Sequence, residues 1–109
     1  MVQSLNSKVD LVIKGTFYGI FPDYGQIMIG NAGFEFYSNS NPEKCIQIRW
    51  EAIDSIIASV KFNGKWIPRF AVCIKNNTYY FSSKDNKKVL RAINKYIPAD
   101  KMFKALSTF

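Results

Sequence analysis

Four side chains around one predicted turn could bind an anionic group. Lys61, Lys65 and Arg69 are cationic, and Trp66 stands among them. Ammonium and guanidinium groups bind phosphate and carboxylate oxygens, and Arg and Trp are over-represented among the residues that dominate binding at interfaces. This pattern favours a contact surface for a partner over a catalytic centre. The alternative is that Trp66 packs beneath the turn while the lysines only keep the strand soluble.

A β-hairpin must position these residues. Asn63 and Gly64 are predicted to form its turn, because both tolerate the positive φ that a type I′ turn requires. Strands are predicted over residues 55–62 and 65–75. Pro68 has no N–H to donate to a ladder, so its strand is predicted at an edge of the sheet or at a bulge. Such an edge could pair with a partner or with a second copy of the chain.

A second group of basic residues lies on one face of a predicted helix. Beyond residue 85 the apolar side chains recur at helical spacing, at positions 89, 90, 93, 96 and 97. Ser82 and Ser83 are predicted to provide the N-cap of this helix. The basic residues outside its apolar stripe could lie on an anionic membrane; they are Lys84, Lys87, Lys88, Arg91 and Lys95. The alternative is that they form the solvated back of the helix.

The net charge also points to an anionic partner. The chain of 109 residues carries a formal charge of +7. Residues 1–58 hold four basic and six acidic side chains, whereas residues 59–109 hold eleven basic and two acidic ones. A membrane surface, a nucleic acid or an acidic protein could each match the basic half. A basic surface that only aids solubility is the alternative, because net charge informs on association and not on fold.

Nothing in the sequence indicates a reaction or a bound cofactor. Histidine, the commonest general base and zinc ligand, is absent, and no glycine-rich phosphate-binding motif occurs. Cys45 and Cys73 are predicted to be small buried side chains, and whether they lie near each other stays open. Glu51 and Asp54 are predicted to lie in a turn. We therefore expect a protein that is not an enzyme, with no catalytic, cofactor-binding or metal-binding residues.

The sequence carries no recognisable export or membrane-spanning signal. Residues 1–15 lack the apolar core of a signal peptide, and no apolar run approaches the roughly 20 residues that cross a bilayer. We expect a cytoplasmic protein, with peripheral contact at the inner face of the membrane as a further option. Residues 1–7 are polar and are predicted to be frayed.

The order of elements predicts a mainly β fold with one C-terminal α-helix. About seven antiparallel strands precede the helix, and residues 1–109 are expected to form one domain. This order resembles the pleckstrin-homology-like half-open barrel, in which the amphipathic helix caps the strands. Asp100 is predicted to cap a short final helix with Met102, Phe103 and Leu106 on one side.

Three segments also resemble the ManO-like family: GQIMIGNAGFEFYSN, IQIRWEAIDSIIASVKFNGKWIPRFAV and FSSKDNKKVLRAI. Members of that family are small proteins of Firmicutes encoded beside mannose-family phosphotransferase permeases. They are described as a domain of unknown function and as regulators of the mannose operon. Residues 25–54 resemble the wider GRAM and pleckstrin-homology pattern as well. The resemblance implies a role near the sugar permease and brings no list of active residues.

These observations lead to one principal hypothesis. We expect a non-enzymatic accessory or regulatory protein that contacts a mannose-family phosphotransferase permease at the membrane through Lys61, Lys65, Trp66 and Arg69. Direct binding to anionic lipid is the alternative. Binding to nucleic acid is less favoured, because the one long helix must bury an apolar face and cannot serve as a DNA-reading helix. A homo-oligomer formed through an edge strand stays open.

Overall fold

The computed structural model describes residues 3–41 and 43–106, and within them it contains eight strands and one α-helix. The strands are β1 (Val9–Tyr18), β2 (Pro22–Gly30), β3 (Gly33–Ser38), β4 (Cys45–Arg49), β5 (Ile53–Ser59), β6 (Phe70–Ile74), β7 (Asn77–Ser83) and β8 (Met102–Ala105), and the helix α1 spans Asn86–Asn94. Short 3₁₀ turns at Trp50–Ala52 and Ala99–Lys101 precede β5 and β8. The prediction of a mainly β fold with one main helix is confirmed.

The strands form one open sheet in the order β4-β3-β2-β1-β7-β6-β5-β8. Neighbouring strands are antiparallel except β5 and β8, which pair in parallel from Ile56 with Met102 to Ser59 with Ala105. Strands β4 and β8 lie at the two edges, so the described part of the chain does not close its sheet into a barrel. The prediction was about seven strands, all antiparallel. The structure has one more strand, β8, and it pairs in parallel with β5.

Strand β8 takes the place of the predicted final helix. Met102, Phe103 and Leu106 would lie on one side of a helix, and the sequence does not reveal that β5 has a free edge. In the structure β8 pairs with that edge, and the Val60 N–H donates to the Ala105 carbonyl at 2.8 Å. Met102 packs against the core while Phe103 is exposed. The available backbone partners of β5 therefore decide the conformation of this segment.

One hydrophobic core lies between the two halves of the sheet. The ring of Phe34 in β3 lies 6.1 Å from that of Phe70 in β6 and 4.9 Å from that of Phe81 in β7. Because β2 and β1 separate β3 from β7 in the sheet order, these contacts require the sheet to curl until its halves face each other. Helix α1 packs on this core through the fully buried side chains of Val89 and Ile93. Each such side chain stabilises the fold by roughly 1.5–3 kcal/mol.

The start of the helix differs in detail from the prediction. Ser82 and Ser83 are the last residues of β7, and Asp85 is the N-cap. Its carboxylate accepts a hydrogen bond from the Lys88 N–H at 3.1 Å. An aspartate placed three residues before that N–H is one of the best caps available, so it takes precedence over the serines.

The N-terminal segment is held on the sheet rather than frayed. Asn6 is buried, and its side-chain oxygen accepts hydrogen bonds from the N–H groups of Ala32 and Gly33 at 2.7 and 2.9 Å. The prediction of a frayed start is therefore wrong for residues 4–7, because β3 offers polar partners that polar side chains can satisfy. Met1 and Val2 lie outside the described residues.

The cysteines and the predicted turn before β5 have clear positions. Cys45 lies in β4 and Cys73 in β6, and both are free and partly buried, less buried than predicted. Glu51 lies in the first 3₁₀ turn, so its prediction as a turn residue is confirmed. Asp54 instead lies in β5, because the turn ends at residue 52.

Candidate functional site

The loop between β5 and β6 carries the predicted contact residues, but it is longer than a two-residue hairpin turn. The regular strands end at residue 59 and resume at residue 70, and an isolated bridge joins Lys61 to Trp66. The predicted strands over residues 55–62 and 65–75 are therefore too long on the loop side. Between the bridge residues the chain makes a tight left-handed turn.

That turn contains three consecutive residues with positive φ. Phe62, Asn63 and Gly64 have φ values of +54°, +56° and +86°. The positive φ predicted for Asn63 and Gly64 is confirmed, and the left-handed region begins one residue earlier. The Gly64 N–H donates to the Lys61 carbonyl at 3.2 Å, and the Lys65 N–H donates to the Phe62 carbonyl at 3.1 Å. A phenylalanine in this conformation is uncommon and strained.

The turn presents two aromatic rings to solvent. Phe62 and Trp66 are stacked, with ring centroids 6.1 Å apart and an interplanar angle of 20°. Their exposures are 70% and 51%, so Trp66 is not packed beneath the turn. The Lys61 ammonium lies 5.7 Å from the centre of the Trp66 ring. Phe62 is the residue that the sequence analysis missed, and its position just before Asn-Gly is the signal that could have shown it at the tip.

Arg69 contacts a different strand. Its guanidinium lies over the ring of Tyr18 in β1, 4.0 Å from the ring centroid. The Tyr18 hydroxyl is in turn 2.8 Å from the Ser82 hydroxyl of β7. Arg69 thus lies against β1, whereas Lys61 and Trp66 form the bridge that closes the turn.

The prediction that Pro68 marks an edge strand is wrong. Strand β6 begins at Phe70, after the proline, and it pairs with β5 on one side and β7 on the other. Because Pro68 lies in the irregular segment that precedes the ladder, its missing N–H costs the sheet no hydrogen bond. An oligomer formed through this strand is therefore not available, and the edges of the sheet are β4 and β8.

Asn86 fixes the end of this loop to the start of the helix. Its side-chain NH₂ donates to the Ile67 carbonyl at 2.6 Å, and its side-chain oxygen accepts from the N–H and the hydroxyl of Ser83 at 2.6 and 2.8 Å. The ladder between β6 and β7 ends at the pair Phe70–Phe81. Beyond that pair, the Asn86 amide bridges the two diverging segments. No local pattern in the sequence indicates this role for Asn86.

The loop and the helix start enclose one open cleft of about 340 Å³. Lys65 and Trp66 line it from the loop, and Lys84 and Lys87 line it from the other side. The structure thus joins members of the two basic groups that the sequence treated as separate.

The other residues of the predicted helix face do not line this cleft. Lys88 and Arg91 are exposed on α1. Lys95 forms an ion pair with Asp10 of β1 at 3.4 Å, and the Tyr96 hydroxyl donates to the same carboxylate. The Tyr96 hydrogen bond and the Lys95 charge hold the pKa of Asp10 below its usual value, and Asp10 raises the pKa of Lys95. Lys95 therefore has a structural partner.

The described residues offer no metal centre, since nowhere among them do three His, Cys, Asp or Glu side chains come together as metal ligands. Their one fully buried acid is Glu35. Its carboxylate accepts hydrogen bonds from Ser4, Leu5 and Asn6, and also from Tyr37 and Gln47. All of these groups belong to the fold itself, so Glu35 has the surroundings of a structural anchor.

A family model described as a domain of unknown function, DUF956, matches residues 1–109. The chain belongs to the DUF956 family. The part of the predicted resemblance that described the chain as a domain of unknown function is thereby confirmed. No curated protein is significantly similar to the chain.

The fold of this DUF956 protein has a relative among solved structures. The crystal structure of the C-terminal domain of an unknown protein from Leishmania infantum superposes with a TM-score of 0.70 at 14% identity, covering 82% of this chain and 83% of that one. At this identity the likeness shows the fold alone. Within residues 3–41 and 43–106 of the DUF956 chain, helices are too short or too polar to cross a membrane.

Proposed function

We propose that this DUF956 protein is a non-enzymatic cytoplasmic binding module that docks on a mannose-family phosphotransferase permease at the membrane. The docking surface consists of Lys61, Phe62, Lys65 and Trp66. The observation that carries the proposal is the exposed stack of Phe62 on Trp66, with the Lys61 ammonium beside the Trp66 ring. The permease as partner is supported by the sequence resemblance to the ManO-like family.

The energetics of the loop favour a partner for these rings. Large aromatic side chains contribute most of the binding energy at many interfaces, because burying them removes much apolar area from water. Phe62 in addition occupies a left-handed conformation that costs roughly 1–2 kcal/mol for a residue with a Cβ. Such strain concentrates at ligand-binding and switch regions.

The charge of the surface favours an acidic partner. Neither Lys61 nor Lys65 forms an ion pair with a carboxylate among the residues that the structure describes. A partner that places carboxylates opposite these ammonium groups would gain both association rate and specificity.

The pleckstrin-homology-like assignment belongs to the same proposal. It is supported by the strand order β4-β3-β2-β1-β7-β6-β5 and by a helix that packs on the core after β7. Domains of this shape are expected to act by binding through their loops, although fold alone does not fix function.

A pull-down from native membranes tests the proposal. The full chain should capture permease components at low salt, and the double variant Lys65→Glu, Trp66→Ala should lose them. Lys75→Glu is the matched control, because Lys75 is an exposed lysine in the turn between β6 and β7. Circular dichroism should show that all three proteins are folded. Absence of capture by the wild-type chain at low salt would contradict the proposal.

Binding to anionic lipid is the second candidate, and one observation favours it. Leu106 is 88% exposed and lines an open hollow of about 580 Å³ with Lys61, Phe62 and Lys104. Exposed apolar side chains flanked by lysines are typical of surfaces that rest on a charged bilayer. Sedimentation with phosphatidylglycerol vesicles, with phosphatidylcholine vesicles as control, should then show binding that disappears as salt is raised.

A further inference from the structure

A second open cleft adjoins the one beside Trp66. It has a volume of about 430 Å³ and shares Ser82, Ser83 and Lys84 with the first. We call the joined clefts the lysine groove; its polar lining includes Lys14, Thr16, Lys65, Ser82, Lys84 and Lys87. Only Lys65 of this set belongs to the docking surface.

The sheet register explains why these residues meet. Thr16 of β1 pairs with Ser82 of β7, and the Lys84 N–H donates to the Lys14 carbonyl at 3.1 Å. On the other side of β7 the ladder with β6 stops at Phe81, so the loop leaves the strand and opens the groove. Strands β1 and β7 therefore form its floor, and the loop and the helix start form one wall.

The charged side chains that line the groove are mostly cationic. Lys14, Lys65, Lys84 and Lys87 line it, and Asp85 is the one acid among the described lining residues. The Asp85 carboxylate is occupied as the cap of α1. Across the described residues, none of these four lysines forms an ion pair with a carboxylate. Like charges gathered at one site repel each other, and an anion bound between them would offset that repulsion.

The rest of the lining fits an anion that carries hydroxyl groups. Thr16 and Ser82 contribute hydroxyls, and Asn39 contributes an amide. Trp66 lines the first cleft and Tyr24 lines the second, and their side chains are 51% and 65% exposed. Aromatic faces pack on a carbon skeleton, while hydroxyls and amides exchange hydrogen bonds with ligand hydroxyls.

We propose that the lysine groove binds the phosphate group of a phosphorylated polyol, either free in solution or as the headgroup of a lipid. The ammonium groups would donate to the phosphate oxygens, and the hydroxyl-bearing side chains would contact the polyol. A phosphate monoester carries close to two negative charges at neutral pH, which suits a site with several lysines. The inference goes beyond the proposed docking function, because it requires no protein partner.

Amide chemical-shift titration of the isotope-labelled full chain tests this proposal. Glucose 6-phosphate should shift the amides of residues 14–16 and 82–87 in a saturable way, inorganic phosphate should shift a subset, and glucose should shift none. Lys84→Ser should weaken glucose 6-phosphate binding by about tenfold or more, because it removes a charge-assisted hydrogen bond. Lys87→Ser should weaken it as well, and Lys75→Ser should leave it unchanged.

Further measurements distinguish a lipid headgroup from a free phosphorylated compound, and they define the results that would contradict the proposal. Vesicles that contain phosphatidylinositol 4-phosphate should bind the chain more strongly than phosphatidylcholine vesicles if the ligand is a lipid headgroup, and only the soluble probe should bind if it is not. Shifts that spread over all exposed lysines, or affinities insensitive to Lys84→Ser in a variant with a native spectrum, would overturn the proposal. A failed permease pull-down leaves this result unaffected, so the two ideas fail separately.

Discussion

The side-chain amide of Asn6 donates a 2.7 Å hydrogen bond to the carboxylate of Glu35, and both side chains are buried. Gln47 adds another donor at 2.9 Å, and the Leu5 N–H adds one at 3.1 Å. This buried carboxylate therefore joins the N-terminal segment to β3 and β4 through neutral donors. A buried charge is tolerated in such a place because its oxygens are fully hydrogen-bonded.

Replacing Glu35 by glutamine should destabilise the protein. The new amide would turn an NH₂ group toward neighbours that are themselves donors, including the Leu5 N–H and the Gln47 NH₂ group. We expect a loss of about 2–4 kcal/mol in the free energy of unfolding, since buried donors would be left unsatisfied. Urea denaturation measures this loss. Glu51→Gln, at an exposed position, is the control and should change stability by less than about 0.5 kcal/mol.

The Glu35 contribution should depend on pH. Burial opposes the ionisation of Glu35, but the hydrogen bonds from Ser4, Tyr37, Leu5 and Gln47 outweigh it and hold its pKa below the usual value. A carboxyl group with a lowered pKa in the folded state stabilises the protein above the pKa of the unfolded chain, about 4.3, and loses this effect as pH falls through the folded value. The stability gap between wild type and Glu35→Gln should therefore shrink below about pH 4. Urea midpoints measured from pH 7 to pH 3 check this, and a gap that stays constant would contradict it.

Removing the Asn86 side chain should loosen the contact loop. Asn86→Ala deletes the hydrogen bond to the Ile67 carbonyl and leaves the Ser83 N–H without its acceptor. We expect a loss of about 1–3 kcal/mol in stability and faster hydrogen exchange over residues 61–69. Asn94→Ala, at an exposed position in the same helix, is the control. Unchanged exchange in the loop would show that other contacts hold it.

The strain at Phe62 can be isolated by comparing two variants that both lack the ring. Phe62→Gly should be more stable than Phe62→Ala by about 1 kcal/mol, because glycine adopts positive φ without a steric penalty. At Lys65, which is not among the residues with positive φ, the order of Gly and Ala should reverse. Thermal or urea unfolding of the four variants measures both differences. The same order at both positions would argue against backbone strain at residue 62.

Local signals in the sequence predicted the features that neighbouring residues determine. The helical spacing of Val89 and Ile93 predicted the face of α1 that packs on the core. The Asn63-Gly64 pair predicted positive φ correctly. Each of these depends on a few adjacent residues, and that is the range over which periodicity and turn chemistry act.

Features that depend on distant segments could not be predicted in this way. The buried surroundings of Glu35 come from residues 4–6, more than twenty positions away in the chain. The meeting of Lys65 with Lys84 depends on where β6 leaves β7, which no local pattern reports. Strand β8 depends in the same way on a free edge of β5. In each case the deciding partner is fixed by the topology of the sheet.

The pairing of β8 with β5 has a consequence for the newly made chain. Strand β5 is complete when residue 59 has been synthesised, but its second edge is covered only when residues 102–105 have emerged and paired with it. During that interval β5 presents unpaired backbone groups to any neighbouring chain, and exposed edges of this kind promote intermolecular pairing. Pairing with β8 therefore covers the free edge of β5 last. Until β8 has been translated, we expect the nascent chain to be at its greatest risk of aggregation through this edge.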